Sequence, residues 1–240
     1  MDNASNATVL GFPEYPEQAQ ALADGLGVDC AIADVHRFPD GESLVCLPPT
    51  LPPRLVVCRS LDYPNDKLVE LALTAATARA MGVQTLTLMA PYLCYMRQDK
   101  AFHPGEAVSQ FIIGRQLAGQ FDEVITVDPH LHRTPRLEQA VPAKRALALT
   151  SAGLIGTFIS RQFDTPILLG PDSESEQWAR AVAQSCGCEY GIAHKDRRGD
   201  RDVEVALPPL DLAGRQVVLV DDIASTGRTL AGAARQARER

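Results

Sequence analysis

The chain has 240 residues, of which 45% are hydrophobic and 22% are charged, with a formal net charge of −7. This composition is typical of a soluble globular enzyme, and the length allows one large or two small α/β domains with hydrophobic cores. The acidic balance argues against a nucleic-acid partner held by general electrostatics. The apolar runs are too short to span a bilayer, and residues 1–22 do not show a secretory-signal pattern, so we expect no membrane association.

The cysteines indicate a reducing compartment. Six are scattered along the chain: Cys30, Cys46, Cys58, Cys94, Cys186 and Cys188. Only Cys186 and Cys188 are close together, and their spacing is not that of a zinc knuckle or a thioredoxin-type pair. We therefore predict buried or incidental cysteines rather than a structural metal site, in a protein of the cytoplasm.

Apolar runs of β type alternate with helical patterns along the whole chain. The predicted strands span residues 8–12, 31–35, 54–58, 85–90, 123–127, 166–169, 190–193 and 217–220. The predicted helices span residues 17–26, 66–81, 108–118, 175–185 and 227–239. This alternation predicts an α/β fold with a mostly parallel sheet flanked by helices.

The alternation occurs twice, with a joint near residues 136–149. We therefore predict two similar α/β domains, residues 1–145 and residues 146–240. In open α/β sheets, ligands bind at the carboxyl ends of the strands, so polar residues that follow a predicted strand are the candidates for function.

Residues 217–229 carry the strongest pattern. Four apolar residues form a predicted strand, Asp221 and Asp222 follow it, and a turn of small residues opens a helix. Backbone N–H groups of such a turn converge on an anion, and the helix dipole adds attraction. The paired aspartates suit the cis-diol of a ribose, or a magnesium ion bridging it. The alternative is an Asp-Asp turn that only caps the helix.

This loop resembles the ribose-binding loop of type I phosphoribosyltransferases and of ribose-phosphate diphosphokinases. The resemblance implies a ribose 5-phosphate site formed by Asp221, Asp222, Ala224, Ser225, Thr226, Gly227, Arg228 and Thr229. Arg228 stands where the family often has glycine, and it either adds a phosphate contact or points to solvent. One loop does not separate the two families, but other segments do.

Residues 38–42 resemble the nucleotide segment of the diphosphokinases. Phe38 offers a stacking face for adenine, and Asp40 and Glu42 can accept hydrogen bonds from its exocyclic amine. Read alone, the Pro-Asp-Gly sequence within this segment is an ordinary turn.

Residues 90–100 follow a predicted strand and resemble a second ATP-binding segment, in which Arg97, Gln98 and Asp99 are the matching residues. The alternative is a solvated charge cluster, although residues 104–109 continue the resemblance.

Two further segments resemble the metal-binding parts of the family. His130, in an Asp-x-His pattern that starts at Asp128, matches the histidine that serves magnesium and the ATP phosphates. Asp172 matches an aspartate near the ribose and the metal, so the resemblance implies Mg²⁺ bound by His130 and Asp172. The family continues with small residues where this chain has residues 173–176, Ser-Glu-Ser-Glu, which alter the metal or sugar contact or simply cap a helix.

Lys195 and Arg197 resemble the catalytic flexible loop of the diphosphokinases. Diphosphate transfer builds negative charge on phosphate oxygens, and a mobile Lys/Arg pair can neutralise that charge. The alternative is an exposed basic turn.

The segments occur in the family order from residue 38 to residue 229. The resemblance implies a ribose-phosphate diphosphokinase, which transfers the diphosphate of Mg-ATP to the C1 hydroxyl of ribose 5-phosphate. It also implies a homo-oligomer, a dimer or higher. Two alternatives stay open: a catalytically silent regulatory paralogue and a phosphoribosyltransferase. Because the chain stops at Arg240, inside the last predicted helix, we expect the second domain to be incomplete.

Overall fold

The computed structural model describes residues 6–197, 203–224 and 226–239. The chain divides into two compact units, Met1–Leu149 and Thr150–Arg240. The boundary expected between residues 145 and 146 lies inside the last strand of the first unit, four residues before this division.

The first unit is built on a six-stranded parallel sheet. The strands of the whole unit are β1 (Ala7–Gly11), β2 (Asp29–Ile32), β3 (Asp34–Arg37), β4 (Ser43–Cys46), β5 (Arg54–Cys58), β6 (Thr85–Ala90), β7 (Glu123–Val127) and β8 (Arg145–Leu149). Its helices are α1 (Pro16–Leu26), α2 (Pro64–Ala80), α3 (Ser109–Gln120) and α4 (Leu137–Ala140). The sheet order is β2-β1-β5-β6-β7-β8, with every neighbouring pair parallel. The β3 and β4 strands form a separate antiparallel hairpin.

The core of the first unit explains why its central strands read as near-continuous apolar runs. Helices cover a parallel sheet on both faces, so its central strands are buried on both sides. Leu55 and Val57 of β5 and Leu86 and Leu88 of β6 are almost fully buried, and they pack with Leu71 of α2.

The second unit repeats the first half of this arrangement. Its elements are α5 (Ala152–Gln162), β9 (Ile167–Gly170), a 3-10 turn (Ser173–Ser175), α6 (Glu176–Cys186), β10 (Glu189–Ile192), β11 (His194–Arg197), β12 (Val203–Ala206), β13 (Val217–Leu219) and α7 (Arg228–Arg238). The parallel order β10-β9-β13 corresponds to β2-β1-β5, and the β11–β12 hairpin corresponds to β3–β4. The prediction of two similar α/β lobes is confirmed.

The predicted helices all form, and strands β5, β6 and β7 have the predicted bounds. The strand predicted over residues 31–35 is wrong: the chain forms β2 and β3 there, separated at the buried Ala33, whose N–H donates to the Gly11 carbonyl at 2.9 Å. Strands β4, β8, β11 and β12 and helices α4 and α5 were not predicted from the sequence. Helix α5 contains two glycines and several β-branched residues, which weaken a helical pattern. None of the helices within the described ranges has the length and apolar character needed to cross a membrane.

Helix α3 packs so closely on α4 that one of its residues must be glycine. A Cβ atom at Gly114 would lie 1.8 Å from the carbonyl oxygen of Ala140, whereas a Cβ at Gly119 meets nothing within 4 Å. The two positions therefore form a matched pair within one helix.

We predict that Gly114→Ala destabilises the protein by about 1–3 kcal/mol, because the overpacked helix must shift. Gly119→Ala should be neutral or stabilise by up to about 1 kcal/mol through helix propensity. Urea denaturation of both variants measures the difference. Equal midpoints for the two variants would contradict this account of the packing.

Candidate active site

The predicted nucleotide segment forms the turn of the β3–β4 hairpin. The Phe38 N–H donates to the Glu42 carbonyl at 2.8 Å, and the Gly41 N–H donates to the Phe38 carbonyl at 2.9 Å. Gly41 has φ +92°, a conformation that favours glycine. The Glu42 N–H also donates to Oδ1 of Asp40 at 3.2 Å. The turn thus fixes its own shape and leaves the Phe38 ring 42% exposed. Its contact with adenine stays a prediction.

The second predicted nucleotide segment follows β6 and contains a strained residue. Tyr95 has φ +60°, which is uncommon for a residue with a side chain, and its hydroxyl donates to Oδ1 of Asn65 at 2.5 Å. Such conformations cluster at functional sites. Beyond it, Arg97 is exposed, whereas Nε2 of Gln98 donates to the Lys100 carbonyl at 3.2 Å.

Asp99, predicted to contact ATP, is buried in an ion pair. Its side chain is only 3% exposed, and Oδ1 accepts from Nη1 of Arg133 at 2.7 Å. This geometry indicates that Asp99 joins the segment after β6 to the segment after β7. The assignment of Asp99 to ATP therefore stays a prediction that depends on the resemblance.

Gln110 is a residue that sequence reasoning missed. It is fully buried at the start of α3, and its Nε2 donates to the Met96 carbonyl at 3.0 Å. Its Oε1 accepts from the Thr134 hydroxyl at 2.7 Å, and its backbone N–H donates to the Gln98 carbonyl at 3.1 Å. Gln110 thus fixes the backbone on both sides of Arg97. The only signal in the sequence was one amide in the first turn of a helix.

The segment after β7 brings two histidines together. Asp128 has φ +42°, and its N–H donates to the Leu149 carbonyl at 2.9 Å. The His130 and His132 rings meet edge to face with their centroids 4.0 Å apart, and both residues are half-buried. His132, which lies outside the family pattern, thus packs directly on the predicted metal ligand.

In the second unit, Asp172 follows β9 and caps the helical segment after it. Its Oδ1 accepts from the backbone N–H groups of Glu174 and Ser175 at 3.1 and 3.3 Å. The Ser175 hydroxyl donates back to the Asp172 carbonyl at 2.6 Å. Residues 173–176 therefore form a helix start, but the capping carboxylate belongs to Asp172 and not to the glutamates of this segment.

Asp221 and Asp222 follow β13 in the same unit. The Asp222 N–H donates to Oδ1 of Asp221 at 3.0 Å. Burial raises the pKa of Asp221 to about 6, and the negative charge of Asp222 and then that of Asp172 add to the rise. The carboxyl ends of neighbouring strands β13 and β9 thus place three interacting carboxylates at one edge of the sheet.

The loop after these aspartates leads into the N-terminus of α7. The helix begins at Arg228, and its N-cap is Gly227 with φ +70°. The alternative in which the aspartates only cap this helix is therefore wrong. Ala224, Thr226 and Arg228 are exposed, and Thr229 is half-buried. Ser225 lies outside the described residues.

Lys195 and Arg197 lie on β11, opposite Val205 and Val203 of β12. The chain beyond them, residues 198–202, lies outside the described residues, as do the side chains of this hairpin. Their catalytic role stays a prediction.

The donor atoms in the second unit fit a magnesium ion. Mg²⁺ prefers oxygen ligands, and Asp172, Asp221 and Asp222 offer carboxylates whose mutual repulsion a divalent cation would relieve. Imidazole nitrogen is the ligand that other divalent metals prefer, so His130 fits magnesium less well as a direct ligand.

Comparisons with known proteins identify the family of this chain. A profile described as the N-terminal domain of ribose phosphate pyrophosphokinase matches residues 7–118, and one described as the phosphoribosyl transferase domain matches residues 138–240. The ribose-phosphate pyrophosphokinase of Methanopyrus kandleri is 37% identical over 234 residues, which cover 96% of this chain and 79% of the relative. That of Thermococcus kodakarensis is 35% identical, covering 86% and 72%.

The crystal structure of phosphoribosylpyrophosphate synthetase from Mycobacterium smegmatis has the same fold. It matches with a TM-score of 0.83 at 23% identity, over 98% of this chain and 77% of that chain. The chain is therefore of the class of proteins that carry a phosphoribosyl transferase domain, matched here over residues 138–240. Within that class, the chain belongs to the ribose-phosphate pyrophosphokinase family.

The raised pKa of Asp221 yields a stability prediction with a definite sign. Folding disfavours the ionised form, since the folded pKa of about 6 exceeds the value of about 4 for an unfolded chain. The wild type therefore loses stability as pH rises from about 4 to about 6.

Asp221→Asn removes this penalty, so we expect its Tm to exceed that of the wild type by on the order of 2 °C at pH 7.5. The difference should shrink at pH 5, where Asp221 is protonated. Thermal scans at both pH values measure it, with Asp164→Asn, at an exposed position of the same unit, as the control. A lower Tm for Asp221→Asn at pH 7.5 would show that the charge on Asp221 does not destabilise the fold.

Proposed function

We propose that this chain is a ribose-phosphate diphosphokinase, which converts ribose 5-phosphate and Mg-ATP to 5-phosphoribosyl 1-diphosphate and AMP. The observation that carries the proposal is the loop after β13, in which two interacting aspartates precede the open N-terminus of α7. The archaeal relatives named ribose-phosphate pyrophosphokinase support the same reaction.

Ribose 5-phosphate binds to the loop between β13 and α7. Its 5-phosphate accepts hydrogen bonds from backbone N–H groups at the start of α7 and from the hydroxyls of Ser225, Thr226 and Thr229. Asp221 and Asp222 accept hydrogen bonds from the ribose hydroxyls. The first turn of α7 contains no acidic residue, so the helix dipole acts on the phosphate unopposed there.

ATP binds to the two segments of the first unit. The exposed Phe38 ring stacks on adenine, and Asp40 and Glu42 accept hydrogen bonds from the exocyclic amine. Arg97 and Gln98 contact the nucleotide and its phosphates. The exposure of Arg97 suits a guanidinium that binds a phosphate.

Magnesium is the cofactor of this proposal. Asp172 and the paired aspartates would hold it through their carboxylate oxygens, and His130 would serve the ATP phosphates. When bound, the ion neutralises charge on the phosphate oxygens.

The reaction forms a bond between the C1 oxygen and the β-phosphorus and breaks the bond between that phosphorus and the α-phosphate oxygen. AMP leaves, and the C1 hydroxyl proton passes to solvent. Lys195 and Arg197 stabilise the charge that develops on the transferred group. No general base is apparent among the described residues, so positioning of the two substrates supplies much of the rate.

Assembly and location complete the proposal. The family resemblance supports a homo-oligomer, a dimer or higher, in the cytoplasm. The net charge of −7 supports small-molecule substrates rather than nucleic acid as partners.

With ribose 5-phosphate, ATP and magnesium, we expect the wild type to form AMP. Lys195→Ala should lower kcat by roughly 100- to 1,000-fold, because it removes a charge that acts in the transition state, while ribose 5-phosphate binding is spared. Chromatographic assay of AMP and titration calorimetry with ribose 5-phosphate measure the two effects.

Lys144→Ala serves as the control, because Lys144 is 81% exposed and pairs with Asp122 in the first unit. Its kcat should equal that of the wild type. An unchanged kcat in Lys195→Ala would exclude the catalytic role of Lys195. Absence of AMP formation in the wild type would favour a silent regulatory paralogue.

A further inference from the structure

A buried carboxylate lies beneath the hairpin that carries Phe38. Glu70 of α2 is fully buried, and its Oε1 accepts a hydrogen bond from the Ser43 hydroxyl at 2.8 Å. The same oxygen lies 3.4 Å from Nε of Arg37. Arg37 and Ser43 are directly opposite each other in the register of β3 and β4. One carboxylate oxygen therefore holds both residues of the pair that closes the turn.

The turn closed by this pair is the predicted nucleotide segment. Arg37 immediately precedes Phe38, and Ser43 immediately follows Glu42. Each contact with Glu70 thus lies one residue from a side chain proposed to meet adenine. The hairpin belongs to a two-stranded sheet of its own and is not paired with the six-stranded sheet. Besides its contacts with Glu70, it is held by an ion pair between Arg37 and Asp66 and by Val35 and Val45, which pack on the core. Two-stranded hairpins are marginally stable alone, so their orientation depends on such side-chain contacts.

Glu70 is itself held in place by residues that follow the carboxyl ends of β1 and β5. Its Oε2 accepts from Nη2 of Arg59, which follows β5 and is only 1% exposed. Nε of Arg59 donates to Oε1 of Glu14 at 2.7 Å, and its guanidinium carbon lies 3.9 Å from the centroid of the Phe12 ring. The guanidinium is therefore fixed by groups at the ends of two neighbouring strands, β1 and β5.

The charges agree with this arrangement. Burial alone would raise the pKa of Glu70, but the hydrogen bonds from Arg59 and Ser43 and the charges of Arg59 and Arg37 lower it overall. The carboxylate is thus ionised at neutral pH, accepts hydrogen bonds from Arg59 and Ser43, and forms an ion pair with Arg37.

We propose that Glu70 is a positioning residue for the nucleotide, which transmits the rigid geometry of the sheet through Arg37 and Ser43 to Phe38, Asp40 and Glu42. The inference rests on the proposed function, because it assumes that residues 38–42 bind ATP. A ring that is held in its binding orientation before ATP arrives loses less conformational freedom on binding. Loss of the anchor therefore weakens ATP binding more than it slows the chemical step.

The test releases the hairpin without disturbing the buried pair, since Glu70→Gln would leave Arg59 short of a partner and threaten folding. Asp66→Asn removes only the ion pair that Arg37 also makes with Asp66, and it should leave KM for ATP unchanged. The double variant Arg37→Gln/Ser43→Ala removes that pair and both contacts with Glu70, and the Arg37 side chain is already 55% exposed. We expect KM for ATP to rise about 10-fold, equivalent to about 1.4 kcal/mol. The kcat and the KM for ribose 5-phosphate should stay within about twofold of the wild type.

Hydrogen exchange followed by mass spectrometry gives a readout that does not depend on activity. Amide protons of residues 34–46 should exchange faster in the double variant, with the rest of the first unit unchanged. Arg37→Lys, which keeps the cation, should retain most of the ATP affinity. Arg115→Gln makes the same charge change at an exposed position of α3 and should alter neither measurement.

Phe38→Ala separates failure of this inference from failure of the proposed function. If Phe38→Ala raises KM for ATP but the double variant does not, the positioning role of Glu70 is wrong and the nucleotide segment stands. If the double variant raises KM without faster exchange, Arg37 contacts ATP directly and the anchor is wrong. If Phe38→Ala leaves KM unchanged, the assignment of residues 38–42 to ATP fails, and the positioning role fails with it.

Discussion

Parallel strand pairing is the constraint on which the candidate active site depends. Parallel strands need a crossover connection, so all their carboxyl ends within a unit lie at one edge of the sheet. Each segment proposed to act follows such an end: the β3–β4 hairpin follows β2, the loop with Arg97 follows β6, and His130 follows β7. In the second unit, Asp172 follows β9, the β11–β12 hairpin follows β10, and the paired aspartates follow β13.

The two units share a topology, but their equivalent hairpins carry different proposed roles. In both units the third and fourth strands form an antiparallel hairpin, and the fifth strand returns to the parallel sheet. In the first unit this hairpin carries the ring and carboxylates proposed to bind adenine. In the second it carries Lys195 and Arg197, which are proposed to act on the transferred group. In the proposed function, equivalent hairpins therefore bind a substrate in the first unit and act in catalysis in the second.

Much of this fold follows from the sequence because its central strands are rich in apolar and β-branched residues. The bounds of β5, β6 and β7 are visible for that reason, whereas β8 is as long as β5 but mostly exposed, and α4 has only four residues. Helix α5 was missed because its glycines and β-branched residues obscure a helical pattern. Local sequence patterns therefore predicted the central strands better than they predicted the elements next to the boundary in sequence, α4, β8 and α5.

The site was predictable only where motifs are contiguous. Residues 217–229 form one stretch of chain, and the structure places them as a strand, a loop and a helix start. The contacts of Glu70 and Gln110 join residues up to 33 positions apart, so no local pattern reveals them. The same holds for Asp99, whose burial against Arg133 follows from tertiary packing and not from its neighbours in sequence.

The central claim is that the β- and γ-phosphoryl groups move together from ATP to C1 of ribose 5-phosphate. Parallel reactions with ATP labelled at the α- or the γ-phosphorus test it most directly. We expect all α label to stay in AMP and the γ label to appear in an acid-labile sugar diphosphate. Formation of ADP that carries the α label, with a single labelled phosphoryl group on the sugar, would contradict it.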